Sequence, residues 1–271
     1  MSAGRRGEGG GGKRGKVYLV GAGPGDPELL TLRAVRVLQE AEVVLHDRLV
    51  SPAVLELVNP LARLLYVGKG PGEQDRVQQL IFQQLLCHAR AGRKVVRLKG
   101  GDPMVYGRGG EEWLFLAQEG VEVEVVPGVS SSLAVPGLAG IPLTLRGVAG
   151  GFAVLSGHGQ HGQAQGGVGG LPDFTPYARV DTLVVLMGVG ERLRIARELL
   201  QAGRRADEPV AFIEKGSTPE ERVVLSTLGA VARGEVAVQP PAVWVIGEVV
   251  RVREQLEALE RAARPVTAAS S

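Results

Sequence analysis

The sequence predicts an α/β protein with two α/β domains, the first around a mostly parallel, Rossmann-like sheet and the second around a mixed sheet. From Lys16 onward, short apolar runs alternate with amphipathic segments of helical spacing, a pattern typical of parallel sheets. After Pro127 the apolar runs continue with fewer helical segments between them, which predicts a mixed sheet. The chain has 271 residues, 44% of them hydrophobic, which is enough to bury a core in each domain.

The first domain is expected over residues 16–127. Its strands are predicted at residues 17–20, 43–45, 64–67, 95–98 and 123–126, and its helices at residues 27–40, 51–57, 74–91 and 111–118. Asp26 is expected to cap the first of these helices, because it precedes Pro27, a residue type that suits the first helical position. Residues 1–15 are rich in glycine and lack apolar periodicity, so they are expected to form a disordered tail.

The second domain is expected over residues 128–253. Its strands are predicted at residues 152–155, 182–187, 210–213, 223–225 and 243–246, and one regular helix at residues 192–201. A helix over residues 130–139 is expected to be interrupted at Pro136 and Gly137. Residues 157–170 are rich in glycine and glutamine and predict a mobile surface loop, while residues 254–271 are expected to hold the end of a helix and a tail.

Composition argues against several classes of protein. The formal net charge is only +2, which does not suit a dedicated nucleic-acid-binding protein. No apolar run approaches the roughly 20 residues that span a bilayer, and the first residues lack the apolar segment of a signal peptide. The single cysteine, Cys87, has no partner for an internal disulfide. We therefore expect a cytoplasmic protein that binds neither nucleic acid nor membrane.

A glycine-rich loop, residues 20–26, follows the first predicted strand and reads Val-Gly-Ala-Gly-Pro-Gly-Asp. With Asp47 after the second strand, it is similar to a dinucleotide-binding fingerprint, so an NAD-dependent oxidoreductase is one interpretation. However, Asp26 would bring a carboxylate towards a pyrophosphate, and Pro24 removes one backbone N–H from the loop. The loop therefore favours a ligand that is not strongly anionic, and a purely structural tight turn stays open.

A second loop of this kind follows the strand at residues 95–98 and carries Gly100, Gly101 and Asp102. Two such loops indicate a ligand that is held from more than one side. Glycine lets the backbone approach a ligand at little steric cost, and the Asp102 carboxylate is a candidate partner for an ammonium group. The alternative is that Asp102 caps a helix beginning at Pro103.

Several short segments, taken together, resemble the tetrapyrrole (precorrin-type) methyltransferase family. They are residues 20–26, 47–51, 97–112, 127–131, 140–144, 187–188, 214–218 and 245–250. The most specific of them begins Arg-Leu-Lys-Gly-Gly-Asp-Pro at Arg97. The resemblance implies two α/β domains with S-adenosylmethionine in the cleft between them, and a homodimer. The sequence departs from the family at Leu145, where many members have histidine, and at Tyr106, where phenylalanine is usual.

The resemblance also implies roles for individual residues. Asp47 is expected to be the proton acceptor and Lys69 the proton donor. Cofactor contacts are implied at Pro24, Gly100, Gly101, Asp102, Val105, Ser130, Ser131, Met187 and Gly216. Because the implied substrate carries many carboxylates, the cations Arg48, Lys69 and Arg108 are expected to line its groove, and Tyr106 is expected to contact the substrate. Each arginine has the alternative of being a solvated surface cation.

The implied activity is methyl transfer from S-adenosylmethionine to C2 and C7 of uroporphyrinogen III. The products are S-adenosylhomocysteine and precorrin-2, which enters sirohaem or cobalamin synthesis. The residues agree with this chemistry, because an activated methyl group needs an aligned ring carbon and a proton acceptor rather than a nucleophilic side chain. No metal is expected, since the sequence has no zinc-spaced cluster. The alternatives are methylation of a later precorrin, the NAD-dependent oxidoreductase, and a non-catalytic protein that senses the cofactor.

Overall fold

Two five-stranded sheets, one in each half of the chain, organise the fold. The computed structural model describes residues 15–68, 74–158 and 172–263. By its internal contacts the chain divides into two units, Met1–Val129 and Ser130–Ser271. The predictions of a disordered N-terminal tail, a mobile loop over residues 157–170 and a C-terminal tail fall almost wholly outside the described residues.

The first unit contains strands β1 (Lys16–Gly21), β2 (Val43–His46), β3 (Arg63–Tyr66), β4 (Lys94–Lys99) and β5 (Glu122–Val126). Its helices are α1 (Leu32–Gln39), α2 (Pro52–Leu55), α3 (Gln74–Arg90) and α4 (Gly109–Gln118). All five strands run parallel, in the order β3-β2-β4-β1-β5. The prediction of a parallel sheet in this half of the chain is confirmed, and β4 lies at its centre.

Alternate residues of the central strand pack on opposite faces of this sheet. Val96 and Leu98 of β4 lie in a buried cluster with α1 and α2. Val95 of the same strand lies on the other face, where it clusters with Leu85 of α3 and Leu116 of α4. Strands that are buried on both faces have near-continuous apolar sequences, and this is the signal that located them.

The predicted helix over residues 27–40 is wrong at its beginning. Residues Pro27–Leu29 form a single 3-10 turn, and α1 begins only at Leu32. Thr31 is extended, with φ −70° and ψ 147°, and its hydroxyl accepts a hydrogen bond from an amide in the first turn of α1. Asp26 caps the 3-10 turn instead. Two capping residues in close succession therefore divide the predicted helix into two pieces.

The second unit contains strands β6 (Phe152–Ser156), β7 (Thr182–Leu186), β8 (Pro209–Glu214), β9 (Arg222–Thr227) and β10 (Ala242–Ile246). Its helices are α5 (Ser131–Leu138), α6 (Arg192–Gln201), α7 (Leu228–Arg233) and α8 (Arg251–Ala263). The strand order is β6-β7-β10-β8-β9; β6 and β7 pair in parallel and the other neighbours are antiparallel. The predicted mixed sheet is confirmed. Helices α6 and α7 cover the face on which Phe212 stacks on Trp244, and α5 covers the other face.

Helix α5 passes through Pro136 and Gly137 without the predicted interruption. The Ala139 amide donates to the Val135 carbonyl, and the Ile141 amide donates to the Pro136 carbonyl at 2.8 Å, so the helix closes its last turn after the proline. Pro136 is buried. Burial of its ring therefore offsets the loss of the one backbone hydrogen bond that a proline cannot donate in a short helix.

Two helices of the second unit were not foreseen in full. Helix α7 has six residues, too few for a clear periodic pattern, but the Thr227 hydroxyl caps its start and Gly234, at φ +82°, ends it. Helix α8 begins at Arg251, before the expected end of the second domain. Among the described residues, no helix combines the length and apolar character needed to cross a membrane.

Candidate functional site

The two glycine-rich loops lie side by side at the carboxyl edge of the first sheet. Strands β1 and β4 are parallel neighbours, so the loops that follow them begin at the same edge. The Gly101 amide donates to the Gly23 carbonyl at 2.7 Å, and the Gly23 amide donates to the Gly101 carbonyl at 3.2 Å. The loops therefore form one structural element that includes Pro24 and Gly100, and the Gly101 amide is already bonded within the protein.

Three glycines allow the chain segments at this edge to come together. A Cβ atom on Gly21 would lie 2.5 Å from the Gly128 Cα and 2.6 Å from the Gly101 carbonyl oxygen. A Cβ atom on Gly128 would lie 2.4 Å from the same oxygen. Real Cβ atoms do not approach backbone this closely, so part of the glycine pattern serves backbone packing rather than ligand contact.

The Asp102 carboxylate fastens the second loop to its surroundings. Its Oδ1 accepts a hydrogen bond from the Met104 amide at 2.8 Å, and its Oδ2 accepts one from the Gly128 amide at 3.0 Å. The alternative that Asp102 caps a helix at Pro103 is wrong, because α4 begins six residues later, after Arg108. Its pairing with a cofactor ammonium stays a prediction, and such a pairing would use a carboxylate that the fold has already oriented.

The segment between Asp102 and α4 is strained and exposes apolar side chains. Tyr106 and Arg108 have φ values of 53° and 59°, in the left-handed region that costs a non-glycine residue on the order of 1 kcal/mol or more. Met104, Val105 and Tyr106 are 47%, 38% and 41% exposed. Strain and uncovered apolar surface in one segment are typical of a ligand-binding loop.

Arg108 has a partner in this structure. Its guanidinium binds the Glu111 carboxylate through two hydrogen bonds, from Nε at 2.9 Å and from Nη2 at 2.7 Å. Both side chains are partly exposed, so the pair contributes little to stability. Binding of a substrate carboxylate by Arg108 would therefore need exchange of one carboxylate for another.

In the second unit, the predicted contacts Met187 and Gly216 lie at one edge of the mixed sheet. Met187 follows β7, is 44% exposed and has a φ of 55°. Gly216 follows β8 between Lys215 and Ser217, whose φ values of 46° and 65° are also left-handed. Strands β7 and β8 each pair antiparallel with β10, so their carboxyl ends share an edge, and the strained residues collect there.

The serine pair after Pro127-Gly128 is divided between two environments. Ser130 is buried and caps α5, since its Oγ accepts from the Ser132 amide and shares a 2.8 Å hydrogen bond with the Ser132 hydroxyl. Ser131 occupies the first position of the helix and is half-buried. The predicted cofactor contact at Ser130 would thus be made by a side chain that also holds the start of a helix.

Asp47 follows β2 and is held at both carboxylate oxygens. Its Oδ1 accepts from the Leu49 amide at 3.1 Å, and its Oδ2 lies 3.4 Å from Nη2 of Arg97. The side chain is 26% exposed, so the carboxylate is fixed and still reachable. Arg48 is exposed in the same turn. Lys69, the predicted partner of Asp47, lies outside the described residues.

A buried group of charged side chains lies beneath this edge of the sheet and was not predicted. Glu112 of α4 is 0% exposed; Nζ of Lys99 lies 3.0 and 3.1 Å from its two oxygens, and Nε of Arg97 lies 3.2 Å from Oε1. Burial, and then the charge of Arg97, lower the pKa of Lys99 to about 8, against the opposing effect of Glu112. The sequence signal for this group is a pair of cations, Arg97 and Lys99, at alternate positions near the end of a mostly apolar strand.

The helix predicted over residues 111–118 has Glu112 in its first turn, where an acid favours the helix dipole. That position is confirmed, but the carboxylate turns into the core instead of facing water.

Within the described parts of the chain, no three His, Cys, Asp or Glu side chains are grouped so that they could hold a metal ion.

Comparisons with known proteins agree on a family. Residues 16–232 match the profile of the Tetrapyrrole (Corrin/Porphyrin) Methylases. The chain is 57% identical to a uroporphyrin-III C-methyltransferase from Thermus thermophilus, solved in complex with S-adenosyl homocysteine; the alignment covers 88% of this chain and 94% of that one, with a TM-score of 0.76.

Two curated relatives point the same way. The chain is 46% identical over 242 residues to the uroporphyrinogen-III C-methyltransferase of Methanocaldococcus jannaschii, covering 88% of this chain and 98% of that protein. It is 48% identical over 243 residues to the chloroplastic S-adenosyl-L-methionine-dependent uroporphyrinogen III methyltransferase of Arabidopsis thaliana, and covers 64% of that longer protein.

Proposed function

We propose that this chain, which belongs to the tetrapyrrole (corrin/porphyrin) methylase family, methylates C2 and C7 of uroporphyrinogen III to give precorrin-2, with S-adenosylmethionine as the methyl donor. The observation that carries the proposal is the similarity to relatives named for this activity, one of which is matched over 98% of its length. The product would enter sirohaem or cobalamin synthesis.

The residues at the paired glycine loops fit S-adenosylmethionine as a ligand. Met104, Val105 and Tyr106 leave apolar surface exposed directly after the Asp102 carboxylate, which suits a ligand that has an apolar part and an ammonium group. Met187 in the second unit is also exposed and strained, and we propose it as a further apolar contact to the cofactor. The bound donor supplies a methyl group that its sulfonium has already activated, so the chain needs neither a nucleophile nor a metal.

We assign the proton acceptor to Asp47. Methylation of a ring carbon requires a proton to leave the substrate, and a carboxylate within reach can take it. The Leu49 amide and the Arg97 guanidinium fix the Asp47 carboxylate, while part of its side chain stays exposed. Lys69 as proton donor remains a proposal from the resemblance.

We place the acidic periphery of the substrate against exposed cationic side chains of the first unit. Arg48 is exposed in the same turn, and Arg108 can exchange Glu111 for a substrate carboxylate. Tyr106, two residues before Arg108, is also exposed, and we propose it as a third contact to the substrate. Proposed cofactor contacts, beyond those already argued, are Pro24, Gly100, Gly101, Ser130, Ser131 and Gly216.

The direct test is incubation of the protein with uroporphyrinogen III and methyl-labelled S-adenosylmethionine under anaerobic conditions. We expect each tetrapyrrole to gain two labelled methyl groups and two molecules of S-adenosylhomocysteine to be released. A panel of later precorrins in the same assay separates this activity from that of other family members. Absence of label from uroporphyrinogen III, with label in a later precorrin, would reassign the substrate.

Two further measurements separate the remaining alternatives. Titration calorimetry should show binding of S-adenosylhomocysteine and none of NAD; the reverse result would favour the oxidoreductase. Binding without turnover of any tetrapyrrole would favour a cofactor sensor. We also propose a cytoplasmic homodimer, and light scattering of the purified protein tests its oligomeric state.

A further inference from the structure

We propose that Arg97 is a positioning residue for methyl transfer: it holds the Asp47 carboxylate from beneath the edge of the sheet, while Glu112 and Lys99 hold Arg97 in turn. The proposal rests on the role given to Asp47 under the proposed function. Neither Arg97, Lys99 nor Glu112 is among the residues to which the family resemblance gives a role.

The sheet register explains why Arg97 reaches Asp47. Arg97 lies on the central strand β4, opposite Leu45 of β2 on one side and Leu19 of β1 on the other. Both leucines belong to the apolar cluster beneath α3 and α4, and Arg97 itself is only 3% exposed. Asp47 stands two residues after Leu45, and side chains two residues apart in a strand share a face. The buried Arg97 side chain thus reaches Asp47, the first residue after β2.

The guanidinium of Arg97 has little freedom to turn. Nε donates to Glu112 Oε1 at 3.2 Å, and Nη1 donates to the carbonyls of Leu98 and Leu45 at 3.0 and 3.4 Å. Because the group is planar and rigid, these bonds also fix the direction of Nη2, which points to Asp47 Oδ2. The orientation of one carboxylate oxygen of Asp47 is therefore set by atoms inside the core.

Asp47 is held at a second point by the backbone. The Leu49 amide binds Oδ1 and Arg97 binds Oδ2, so the plane of the carboxylate is defined. Among the described residues, Arg97 is the one charged side chain within ion-pair distance of this carboxylate. A proton acceptor must be placed within a few tenths of an ångström of its productive position, and misplacement by 1 Å can cost about a hundredfold in rate.

The surrounding charges balance. The two cations, Arg97 and Lys99, face two carboxylates, Glu112 and Asp47, and Gln78 adds a hydrogen bond to Glu112 at 3.4 Å. A buried ion pair is often no more stabilising than apolar side chains of the same volume. Stability alone therefore gives no reason for charges here, whereas orientation of an accessible carboxylate does.

Kinetics of Arg97→Met and Arg97→Lys test the proposal. We expect Arg97→Met to lower kcat by about tenfold to a hundredfold, with KM for both substrates and Kd for S-adenosylhomocysteine within about threefold of wild type. Arg97→Lys, which keeps the charge, should restore part of kcat. If Arg97→Met fails to fold, Arg97→Lys carries the same comparison with a smaller expected loss.

The matched control is Arg204→Met in the second unit. Arg204 is a buried arginine that binds Glu208 and the carbonyls of Ala178 and Val180, with 5% of its side chain exposed. This variant should lower the melting temperature and leave kcat unchanged. An Arg97 variant that behaves in the same way, with a lower melting temperature and normal kcat, would overturn the proposal.

A double-mutant cycle then asks whether Arg97 acts through Asp47. In an Asp47→Asn background, Arg97→Met should cause little further loss of kcat, because the group that it positions is already gone. An equal fold-change in both backgrounds, or a normal kcat in Asp47→Asn alone, would overturn the positioning role.

Crystal structures of the wild type and Arg97→Lys give a readout that does not depend on activity. We expect the Asp47 carboxylate to turn in the variant, so that Oδ2 leaves the position that Arg97 gives it in the wild type. An unmoved carboxylate would overturn the proposal even if the methylation assay succeeds. Absence of methylation by the wild type would instead defeat the proposed function, and a displaced carboxylate would then still support the link between Arg97 and Asp47.

Discussion

Each unit of this protein buries an arginine, and the two arginines end in different surroundings. Arg204 in the second unit binds Glu208 and backbone carbonyls, so its hydrogen bonds serve to hold the fold together. Arg97 in the first unit binds Glu112 and backbone carbonyls in the same way, but its last nitrogen meets Asp47, a partly exposed carboxylate. The same type of buried side chain can therefore fasten a fold or hold a reactive group at its surface.

The largest expected effect separates the two sites by activity. Asp47→Asn removes the proton acceptor while keeping its shape, and should lower kcat by about 10²- to 10⁴-fold. Kd for S-adenosylhomocysteine, measured by calorimetry, should change less than threefold. Glu208→Gln, the matched carboxylate of the second unit, should leave kcat unchanged. Equal losses of kcat and of cofactor affinity in Asp47→Asn would mean that Asp47 only supports the end of its strand.

The next effect separates the sites by stability. Glu112→Gln leaves Arg97 and Lys99 buried with one carboxylate fewer, and should lower the free energy of unfolding by about 3–5 kcal/mol. Glu208→Gln should cost less, because Glu208 faces one cation and is partly exposed. Urea unfolding of both variants gives the two losses of free energy. A larger loss for Glu208→Gln than for Glu112→Gln would contradict the prediction that the buried charges of the first unit depend more strongly on one another.

The pH dependence of stability tests the lowered pKa of Lys99. The contacts described for Arg204 include no lysine, so this test applies to the first unit. The folded state holds the pKa of Lys99 at about 8, below its ordinary value of 10.5, first through burial and then through Arg97. Between these pH values the unfolded chain binds more protons at this group, so stability should rise with pH. Arginine does not titrate there, so the wild type should gain up to about 3 kcal/mol over Lys99→Arg between pH 8 and 10.5. If the free energy of unfolding changed with pH by the same amount in both proteins, this prediction would be contradicted.

The smallest expected effects compare one glycine from each unit. Gly128→Ala should destabilise the first unit by about 1–3 kcal/mol, because its Cβ would press on the Gly101 carbonyl oxygen. Gly137→Ala, inside α5, meets no atom within 4 Å and should stabilise the second unit by about 0.5–1 kcal/mol. Thermal melting distinguishes the two, and a stabilising Gly128→Ala would show that the three glycine segments are not tightly packed.

Much of the fold could be predicted from local sequence. The parallel strands are short apolar runs with glycine or polar residues at their ends, and both glycine-rich loops follow such runs. Where the predictions failed, two local signals competed: Thr31 caps α1 after Asp26 has already capped a turn, and Pro136 sits in a helix that the core keeps intact. Pattern alone does not say which of two valid signals wins, since packing decides between them.

The candidate site divides along the same line. The sequence by itself, through its motifs, determined the family, the two glycine loops and the choice of Asp47. Only the tertiary structure decided that Asp102 braces Gly128 and that Arg97 joins Glu112 to Asp47. The physical reason is the strand order: β4 lies between β2 and β1, and this order brings together residues that are 15 to 50 positions apart along the chain. Periodicity predicts each strand, but the register between strands is set by packing of the whole sheet.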